Sequence, residues 1–598
     1  MTAKQAEALL EGLDANQRRA VQSTSGPVRI IAGAGAGKTR TITRRIAYAC
    51  ALDVWNPAHA LAVTFSAKAA AEMRSRLAAL GAGEVRAKTF HSAALSQLRF
   101  VWSSLTDEPF PVLRATSLPA LSEAVRVVTN QSDLDIHDLR LINSEIDWTK
   151  VSLIAPEDYP AVCSATGRIP PAQLDPVTFA KVALEFERQK GALGEMNFND
   201  ILLLVCHILQ AFPEQARRIR RGIDCVTVDE YQDVSPLQHR LLRLWLGGIT
   251  EVCVVGDAAQ TIYSFAGATS HYLLDFAREF APVHSDIVLD RDYRSTPQIV
   301  HYANRVLDAS PCRDDYLTLV SARGDGHPIR PTVYDDELDE ARGIASRVSR
   351  LVSLGVRPGD IGVLARTNAQ LVPIRKALAD AGIPLTVRGD RREAQEALSA
   401  GDLANARHAA YAEDDAAWDA QAEKDMDDDG SDGAEDQRTG GAETGVSGTA
   451  GAGRPGGASS GDGATGRDDI APSVDGGAED DAPTAAAADR RMERERLITE
   501  LLDTPGAVAE GRADPGSVSL STIHSSKGLE WRYVFVAGCA DGLIPYGRPR
   551  SDAEREEERR LMYVAVTRAE DALFPSYPKG QSTAPSVRRP LSPFLRGM

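Results

Sequence analysis

The stretch VRIIAGAGAGKTR, residues 28–40, predicts a short apolar strand, a glycine-rich loop and the start of a helix. Its alternating glycines lack a Cβ, so the loop can curl and point successive N–H groups at one anion. A helix that begins near Lys38 adds the positive end of its dipole. We then expect Lys38 to reach the β- and γ-phosphates of a nucleotide, and the hydroxyl of Thr39 to bind Mg²⁺.

The loop departs from the usual phosphate-loop pattern at one position. That pattern is G-x-x-x-x-G-K-[ST], and Ala32 stands where the first glycine is expected. The alternative interpretation is an ordinary glycine-rich turn ahead of a basic helix. Other motifs in the chain are needed to distinguish the two interpretations. If the loop binds phosphate, its contacts come from consecutive residues: Ala32, Gly33, Ala34, Gly35, Ala36, Gly37 and Lys38.

Negative charge is concentrated in one segment of this 598-residue chain. The formal net charge is −17, and residues 401–490 contain 22 acidic and 6 basic residues, a net of −16 that leaves −1 for the remainder. The rest of the chain is therefore close to neutral, and the overall charge does not argue against a nucleic-acid partner. The acidic segment has almost no aromatic or branched apolar residues, so we expect it to be disordered.

Composition also limits the cellular location and the class of metal site. The chain starts with a polar, helix-forming segment without the apolar core of a signal peptide, and no stretch approaches the roughly 18 apolar residues of a membrane span. The seven cysteines are scattered and form no C-x-x-C pair, which favours buried free thiols over a zinc site. We therefore expect a cytoplasmic protein of several domains.

Two adjacent acids follow an apolar strand. Residues 223–233 read IDCVTVDEYQD, a predicted strand that ends in Asp229 and Glu230. Beside a phosphate loop, Asp229 can hold Mg²⁺, and Glu230 can orient and deprotonate an attacking water. Paired acids are common in strand-to-loop turns, but next to a glycine-rich phosphate loop they favour nucleotide hydrolysis.

Further polar side chains suit a nucleoside triphosphate. Gln260 follows the predicted strand EVCVVGD and can sense a γ-phosphate. Arg294, next to Tyr293 at a strand-to-helix turn, can stabilise charge on a transferring phosphoryl group, and Arg568 is a candidate for a second such arginine. The amide of Gln17 can pair with an adenine edge, although a surface glutamine is the commoner alternative.

Aromatic and basic side chains are predicted at the carboxyl ends of strands, where parallel α/β sheets bind ligands. Phe65 ends the predicted strand HALAVTF and Lys68 follows it, His91 follows the next strand, and Tyr263 and Phe265 lie beyond EVCVVGD. A base stacked on an aromatic ring gains about 1–3 kcal/mol, so these side chains suit one strand of nucleic acid. The alternative for Phe65 is an ordinary core position.

Together these blocks resemble the UvrD/Rep/PcrA-like DNA helicases of superfamily 1. Chance agreement of so long an ordered set is negligible, and alanine at position 32 is typical of this family's loop. The blocks occur in the family's order across most of 1–390 and 515–598: LDANQ, AGAGAGKTRT, AVTFSAKAAAEM, KTFHS, VDEYQD, VVGDAAQTIYSFAGA, LDRDYRS, VLARTNAQ, STIHSSKGLEW and EEERRLMYVAVTRA.

The resemblance implies an α/β fold with two RecA-like P-loop motor domains, each built on a parallel sheet. ATP and Mg²⁺ would lie in the cleft between them. The implied boundaries are 1–92 and 195–286 for the first motor domain, 93–194 for its helical insertion, 287–390 and 517–598 for the second motor domain, and 391–516 for a reduced insertion that is mostly acidic, low in complexity and disordered over 401–489.

The resemblance also implies a role for each matching residue. The nucleotide contacts would be Gln17, Arg40 and Tyr293 at the base, Glu530 at the ribose, and Lys38, Thr39 and Asp229 at the phosphates and Mg²⁺. The catalytic groups would be Glu230 as base, Gln260 as γ-phosphate sensor, and Arg294 and Arg568 as arginine fingers. The DNA contacts would be Phe65, Lys68, Tyr263 and Phe265 along a single strand, with His91 and His524 near its backbone.

The implied activity is ATP-driven 3′→5′ movement along single-stranded DNA, with separation of tailed duplex DNA. The implied setting is DNA repair or replication, and a protein partner in repair is possible. Three departures bear on it. Ala266 stands where the family usually has arginine, Ser66 and Ala67 replace a usual Thr-Asn pair, and the second insertion is reduced. Two alternatives therefore stay open: a translocase that unwinds weakly without a partner, and a nucleic-acid-binding scaffold that uses ATP as a switch.

Overall fold

The computed structural model describes residues 3–114, 116–130, 134–388, 516–582 and 588–596. Most of them form two α/β bodies, each around a six-stranded sheet. Every strand pairing in both sheets is parallel, which confirms the predicted fold class. The acidic insertion predicted within 391–516 falls almost wholly on 389–515, outside the described residues.

The first body contains the phosphate-loop strand and is interrupted once. Its first part contains α1 (Ala3–Ala8), α2 (Ala15–Gln22), β1 (Val28–Ala32), α3 (Lys38–Ala51), β2 (Ala60–Thr64), α4 (Ala67–Ala79), β3 (Arg86–Thr89) and α5 (Phe90–Trp102). The interruption contains β4 (Val112–Leu113), α6 (Leu118–Thr129), α7 (Ile136–Val151), α8 (Tyr159–Thr166), α9 (Pro176–Ala192) and β5 (Glu195–Met196). The second part contains α10 (Phe198–Ala211), α11 (Pro213–Arg221), β6 (Cys225–Val228), α12 (Pro236–Leu246), β7 (Val252–Gly256), α13 (His271–Leu274), α14 (Phe276–Glu279) and β8 (Ser285–Leu289).

The first sheet has the strand order β3-β2-β6-β7-β1-β8. All five residues of β2, ALAVT, are buried, as expected for a parallel strand covered on both faces. Helix α5 packs into the core on one face, where Phe90 stacks on Trp245 at 5.7 Å. This helix therefore belongs with the first body, although the sequence boundary at residue 93 divides it.

The interruption is a helical subdomain with its own core. Tyr159, Phe179 and Phe186 are fully buried where α6, α7, α8 and α9 meet. Lys150 and Lys190 of this subdomain each reach Asp200 of α10 at 2.5 Å. Asp200 also accepts the N–H of Asn197 at the start of α10, so charge pairing and helix capping fix the subdomain to the first body.

The second body carries the second sheet. Its elements are β9 (Arg291–Asp292), α15 (Pro297–Asp308), β10 (Val320–Ser321), β11 (Thr332–Tyr334), α16 (Glu337–Ser353), β12 (Ile361–Ala365), α17 (Asn368–Asp380), β13 (Leu385–Arg388), β14 (Val518–Thr522), β15 (Trp531–Val536), α18 (Asp552–Val566) and β16 (Ala569–Pro578). The strand order is β11-β16-β15-β12-β14-β13.

Strands from both sides of residues 389–515 are neighbours in this sheet. β13 pairs with β14, and Leu385 lies opposite Val518. The chain before and after the acidic segment thus forms one continuous sheet, as the sequence motifs predict.

The two bodies meet through a shared apolar core near the phosphate loop. Ala34 and Ile262 of the first body pack in the same cluster as Ile299, Leu319 and Tyr563 of the second. The loops that follow β1, β6 and β7 therefore face the second body. None of the helices in the described part of the chain combines the length and the apolar character that a membrane span requires.

Candidate active site and nucleic-acid interface

The phosphate loop forms the predicted strand, turn and helix. β1 ends at Ala32 and α3 begins at Lys38, while Gly35 and Gly37 have φ of +69° and +75°. A Cβ on Gly35 would lie 1.9 Å from Oδ1 of Asp292, so both the dihedral and the available space require glycine there. Ala32 is the buried last residue of a strand, where a methyl group is compatible with the backbone.

Lys38 lies within the loop that it is predicted to serve. Its Nζ donates to the carbonyl oxygens of Ala32 at 3.3 Å and Gly33 at 3.5 Å. Both bonds are long and have neutral acceptors, so a charged phosphate oxygen would be a stronger partner for the ammonium group.

Thr39 and Asp229 bring two oxygen donors together. Oγ1 of Thr39 is 3.5 Å from Oδ2 of Asp229, whose side chain is buried. Burial, and then the charge of Glu230, raise the pKa of Asp229 to about 7 against the opposing effect of Lys38. This donor set fits Mg²⁺, which binds one or two protein oxygens and keeps water and phosphate as its other ligands. When bound, the ion would neutralise charge on the phosphates.

Glu230 occupies a strained position at the end of β6. Its φ is +52°, which costs a non-glycine residue about 1–3 kcal/mol. Its Oε2 accepts a hydrogen bond from Nε2 of Gln232 at 2.5 Å. Burial would raise the pKa of Glu230, but the charges of Lys38 and Lys527 outweigh burial and lower that pKa. The carboxylate is therefore ionised and suited to orienting a water molecule.

The side chain of Gln260 is held by an acid of the same loop. Its Nε2 donates to Oδ2 of Asp257 at 2.8 Å, and Tyr563 of α18 donates to the same oxygen at 3.3 Å. The predicted phosphate sensor is thus linked to a residue of the second body. Burial raises the pKa of Asp257, although the charge of Lys38 and the hydrogen bonds from Gln260 and the N–H of Ala259 oppose that rise.

The two predicted arginine fingers have different surroundings. Arg294 is partly exposed and forms an ion pair with Glu530. Arg568 is buried, and its guanidinium donates to the carbonyl oxygens of Val564 at 3.0 Å and Leu529 at 3.1 Å. Burial, and then the charge of Arg294, lower the pKa of Arg568 to about 10. Arg294 is the more accessible of the two to a nucleotide.

The residues predicted at the base gather around the start of α2. Nε2 of Gln17 donates to the carbonyl oxygen of Ala36 at 3.0 Å, and its Oε1 accepts the N–H of Asp14 at 3.3 Å. The hydroxyl of Tyr293 donates to Asp14 as well. Gln17 is buried rather than a surface glutamine, and its amide supports the phosphate loop directly. Arg40 is exposed nearby and donates to the carbonyl oxygen of Gly12 at 3.1 Å.

Four of the predicted DNA contacts form one aromatic cluster, defined as Phe65, Tyr263, Phe265 and His524. The rings of Phe65 and Tyr263 stack at 5.3 Å with 9° between their planes. Phe265 meets Tyr263 edge-on at 6.1 Å and His524 at 5.9 Å. Phe65 is 48% and Phe265 68% exposed, so the core alternative for Phe65 is wrong. Such exposed rings suit the stacking of unpaired bases.

Lys68 and His91 lie outside this cluster. Lys68 is at the start of α4, and burial, followed by the positive charge of Arg388 from the second body, lowers its pKa. His91 is in the first turn of α5, with its ring edge-on to Phe198 at 6.3 Å. Lys68 therefore faces the second body, whereas His91 packs against the start of α10 within the first body.

The second body also contacts the loop after β7 through residues that the sequence did not single out. Glu557 accepts the N–H of Ser264 at 3.0 Å, and Nε of Arg560 donates to the carbonyl oxygen of Thr261 at 2.6 Å. The sequence of α18 is rich in charge and resembles a solvated face. Glu557 and Arg560 differ from ordinary solvated charges because they contact a distant loop. No local sequence pattern reveals such a contact.

The second body also has an exposed tyrosine outside the aromatic cluster. Tyr546 is 57% exposed, and the guanidinium of Arg366 lies 5.4 Å from the centre of its ring. Arg366 is fixed by Glu558 at 2.7 Å, which also accepts the N–H of Tyr546 at 2.9 Å.

Burial, followed by the charges of Arg366 and Lys527, lowers the pKa of His524 to about 4, so this histidine is neutral near pH 7.

Comparison with known proteins places both bodies among helicase domains. The sequence model of the UvrD/REP helicase N-terminal domain matches residues 13–281. That of the UvrD-like helicase C-terminal domain matches 287–395 and 495–580, and the gap between these two matches coincides with the acidic segment.

Individual proteins are similar over nearly the whole chain. The ATP-dependent DNA helicase UvrD2 of Mycobacterium tuberculosis (strain ATCC 25618 / H37Rv) is 38% identical over 99% of this chain and 82% of its own length. The ATP-dependent DNA helicase UvrD1 of the same strain is 32% identical over 99% of this chain and 85% of its own length. The ATP-dependent DNA helicase PcrA of Leuconostoc citreum is 28% identical over 95% of this chain and 82% of its own length.

Proposed function

The chain belongs to the UvrD/REP family of ATP-dependent DNA helicases, and we propose that it couples ATP hydrolysis to 3′→5′ movement along single-stranded DNA and to the separation of tailed duplex. The observation that carries this proposal is the meeting of the phosphate loop, the acidic pair and two arginines at the boundary between the two bodies. The polarity is carried over from the family resemblance. DNA repair or replication is the proposed setting, with a protein partner in repair.

ATP would bind with its phosphates on the loop at 33–37 and on Lys38, while Thr39 and Asp229 hold Mg²⁺. Gln17, Arg40 and Tyr293 would border the base, and Glu530 the ribose. Glu230 would orient and deprotonate the attacking water, and Gln260 would sense the γ-phosphate. Arg294 and Arg568 would stabilise the charge that develops during transfer.

Closure of the two bodies on ATP would move the aromatic cluster, because Phe65, Tyr263 and Phe265 belong to the first body and His524 to the second. Single-stranded DNA would stack on these rings, with Lys68 and His91 also placed along the strand. Hydrolysis and reopening would then shift the strand relative to the rings by one step.

A strand translocase with weak unwinding is the second candidate. The observation that favours it is Ala266, an exposed residue beside Phe265 that offers no positive charge where the family usually has arginine. Loss of one cationic contact lowers affinity for a phosphate backbone. We also propose the domain division given above, with the helical subdomain as the insertion of the first motor domain and 391–516 as that of the second.

Unwinding assays on matched substrates test the proposed function. A duplex with a 3′ single-stranded tail, one with a 5′ tail and a blunt duplex would be compared with ATP, with ADP and without nucleotide. We expect ATP-dependent separation of the 3′-tailed substrate alone. Displacement of a bound protein from single-stranded DNA without duplex separation would favour the translocase. Preference for the 5′ tail would overturn the proposed polarity.

A further inference from the structure

Lys527 is a buried cation at the junction of the two bodies. It follows the turn His524–Ser526 of the second body, and its side chain is 9% exposed. Its Nζ forms an ion pair with Oδ2 of Asp233 and donates to the carbonyl oxygen of Gln260 at 2.6 Å. Both acceptors belong to the first body, so this single ammonium group connects the two.

Both acceptors of Lys527 are tied to groups of the ATP site. Asp233 is fully buried, and Nε2 of Gln232, which donates to Glu230 at 2.5 Å, also lies 3.5 Å from Oδ2 of Asp233. Oε1 of Gln232 accepts the N–H of Asp257 at 3.1 Å, and Asp257 holds the side chain of Gln260. A shift of Lys527 would therefore change the contacts of the Gln232 amide, which orients Glu230.

The same ammonium group lies against the DNA-facing surface. Nζ of Lys527 is 5.1 Å from the centre of the Tyr263 ring, within the range of a cation–π contact. The hydroxyl of Tyr263 donates to the carbonyl oxygen of His524 at 3.1 Å, in the same turn that carries Lys527. A base that stacks on Tyr263 would therefore act on the ring that Lys527 contacts.

Because Asp233 is buried, the positive charge of Lys527 that compensates it is hard to replace. Oδ1 of Asp233 is buried and accepts no hydrogen bond from any residue in the described ranges, so compensation of this carboxylate falls mainly to Lys527. Removal of one partner of such a pair leaves an uncompensated buried charge. A lysine is a compact point charge with rotatable donors, which allows it to shift between a carboxylate, a carbonyl oxygen and a ring as the two bodies move.

We propose that Lys527 is a positioning residue that links the occupancy of Tyr263 by DNA to the orientation of Gln232 and Glu230, and that it is required for stimulation of ATP hydrolysis by DNA. This inference rests on the proposed function. It predicts an effect on the stimulated kcat and none on the binding of ATP.

The experiment measures ATP turnover without DNA and with saturating single-stranded DNA for the full chain and four variants. These are Lys527→Met, Asp233→Asn, the double variant of both, and Lys579→Met as a matched control. Lys579 pairs with Asp335 on the exposed surface of the second body at 2.6 Å. Thermal unfolding of each variant is recorded alongside, together with KM for ATP.

For Lys527→Met we expect the ratio of stimulated to basal kcat to fall by about tenfold or more, within the usual range of coupling between two sites. KM for ATP should not change, and basal kcat should fall much less than stimulated kcat, because Lys38 still lowers the pKa of Glu230. The double variant leaves no unpaired carboxylate at position 233, so it separates coupling from folding. We expect it to remain unstimulated. Lys579→Met should match the wild type.

Three results would overturn the inference. The first is full stimulation of Lys527→Met, and the second is an equal loss of basal and stimulated turnover in that variant. The third is recovery of stimulation in the double variant, because the pair would then serve only to compensate a buried charge. Failure of the proposed function is distinguishable, because the wild type itself would then show no stimulation.

Discussion

The guanidinium of Arg294 is paired with the carboxylate of Glu530, and the carbonyl oxygen of Thr567 lies 3.4 Å from the same guanidinium. The proposed arginine finger and the proposed ribose contact thus lie within reach of each other on the second body. Because a guanidinium carries five N–H donors in a fixed fork, Arg294 can keep these contacts and still donate to a nucleotide phosphate.

Replacement of Arg294 by alanine is expected to lower kcat by about 10³–10⁵, the usual contribution of an arginine finger. Binding of ATP should be affected far less, because most phosphate contacts belong to the first body. Steady-state turnover and binding of a fluorescent ATP analogue check this. Arg342→Ala, at an exposed arginine of α16, is the control. Near-normal kcat in Arg294→Ala would remove this residue from the catalytic groups.

Lys38→Ala and Glu230→Gln should each abolish ATP hydrolysis while the fold survives. Among the described residues, Lys38 donates to carbonyl oxygens of its own loop. Glutamine preserves the shape of Glu230 without its ability to take a proton. Loss of a general base alone costs about 10²–10⁴ in rate. Lys376→Ala, at an exposed lysine of α17, controls for loss of surface charge. DNA-stimulated turnover in either site variant would contradict the assignment.

Phe65→Ala should weaken binding of single-stranded DNA by about 1–3 kcal/mol, the value of one stacked base. The ring is exposed, so thermal stability should change little. The slope of affinity against salt concentration should stay the same, because no phosphate contact is lost. Fluorescence anisotropy with a labelled oligonucleotide measures both quantities. Phe212→Ala, at another exposed phenylalanine, is the matched control, and equal affinity losses in the two variants would contradict a specific role of Phe65.

Glu340 makes stability depend on pH. It is buried beneath β15 and β16, where it accepts bonds from the N–H of Gly538 at 3.0 Å and the hydroxyl of Ser576 at 2.5 Å. Burial raises its pKa to about 7. The folded protein therefore retains a proton that the unfolded chain loses at lower pH, and the resulting stability is lost as pH rises through about 7.

Glu340→Gln keeps an oxygen acceptor for both bonds and removes the charge. Its free energy of unfolding should exceed that of the wild type by on the order of 1–3 kcal/mol at pH 8, since one pKa unit corresponds to about 1.4 kcal/mol. The difference should shrink towards pH 5. Denaturant unfolding at the two pH values measures it, and a difference that does not vary with pH would contradict the raised pKa.

The sequence predicted the parts of the site that depend on local pattern. The start of α3 at Lys38, the end of β6 before Asp229 and the position of Gln260 after β7 follow from apolar runs that end in polar turns. The positive φ of Glu230 was not predictable, because it follows from the packing of the turn and not from residue preference.

The contacts between residues far apart in the chain were beyond sequence reasoning. The pairing of Lys527 with Asp233 and that of Arg294 with Glu530 join residues far apart in the chain, and no periodicity or spacing reports such a meeting. The amide of Gln17 is another example, because its burial against the phosphate loop depends on how α2 packs. Tertiary packing decides these positions, and local propensity does not.

ATP turnover by the wild-type chain with and without single-stranded DNA tests directly whether DNA binding drives hydrolysis. Because the aromatic cluster and the ATP site share the junction between the two bodies, we predict strong stimulation of kcat by an oligonucleotide long enough to cover that cluster. Equal turnover with and without DNA would contradict the coupling of hydrolysis at this junction to a DNA strand.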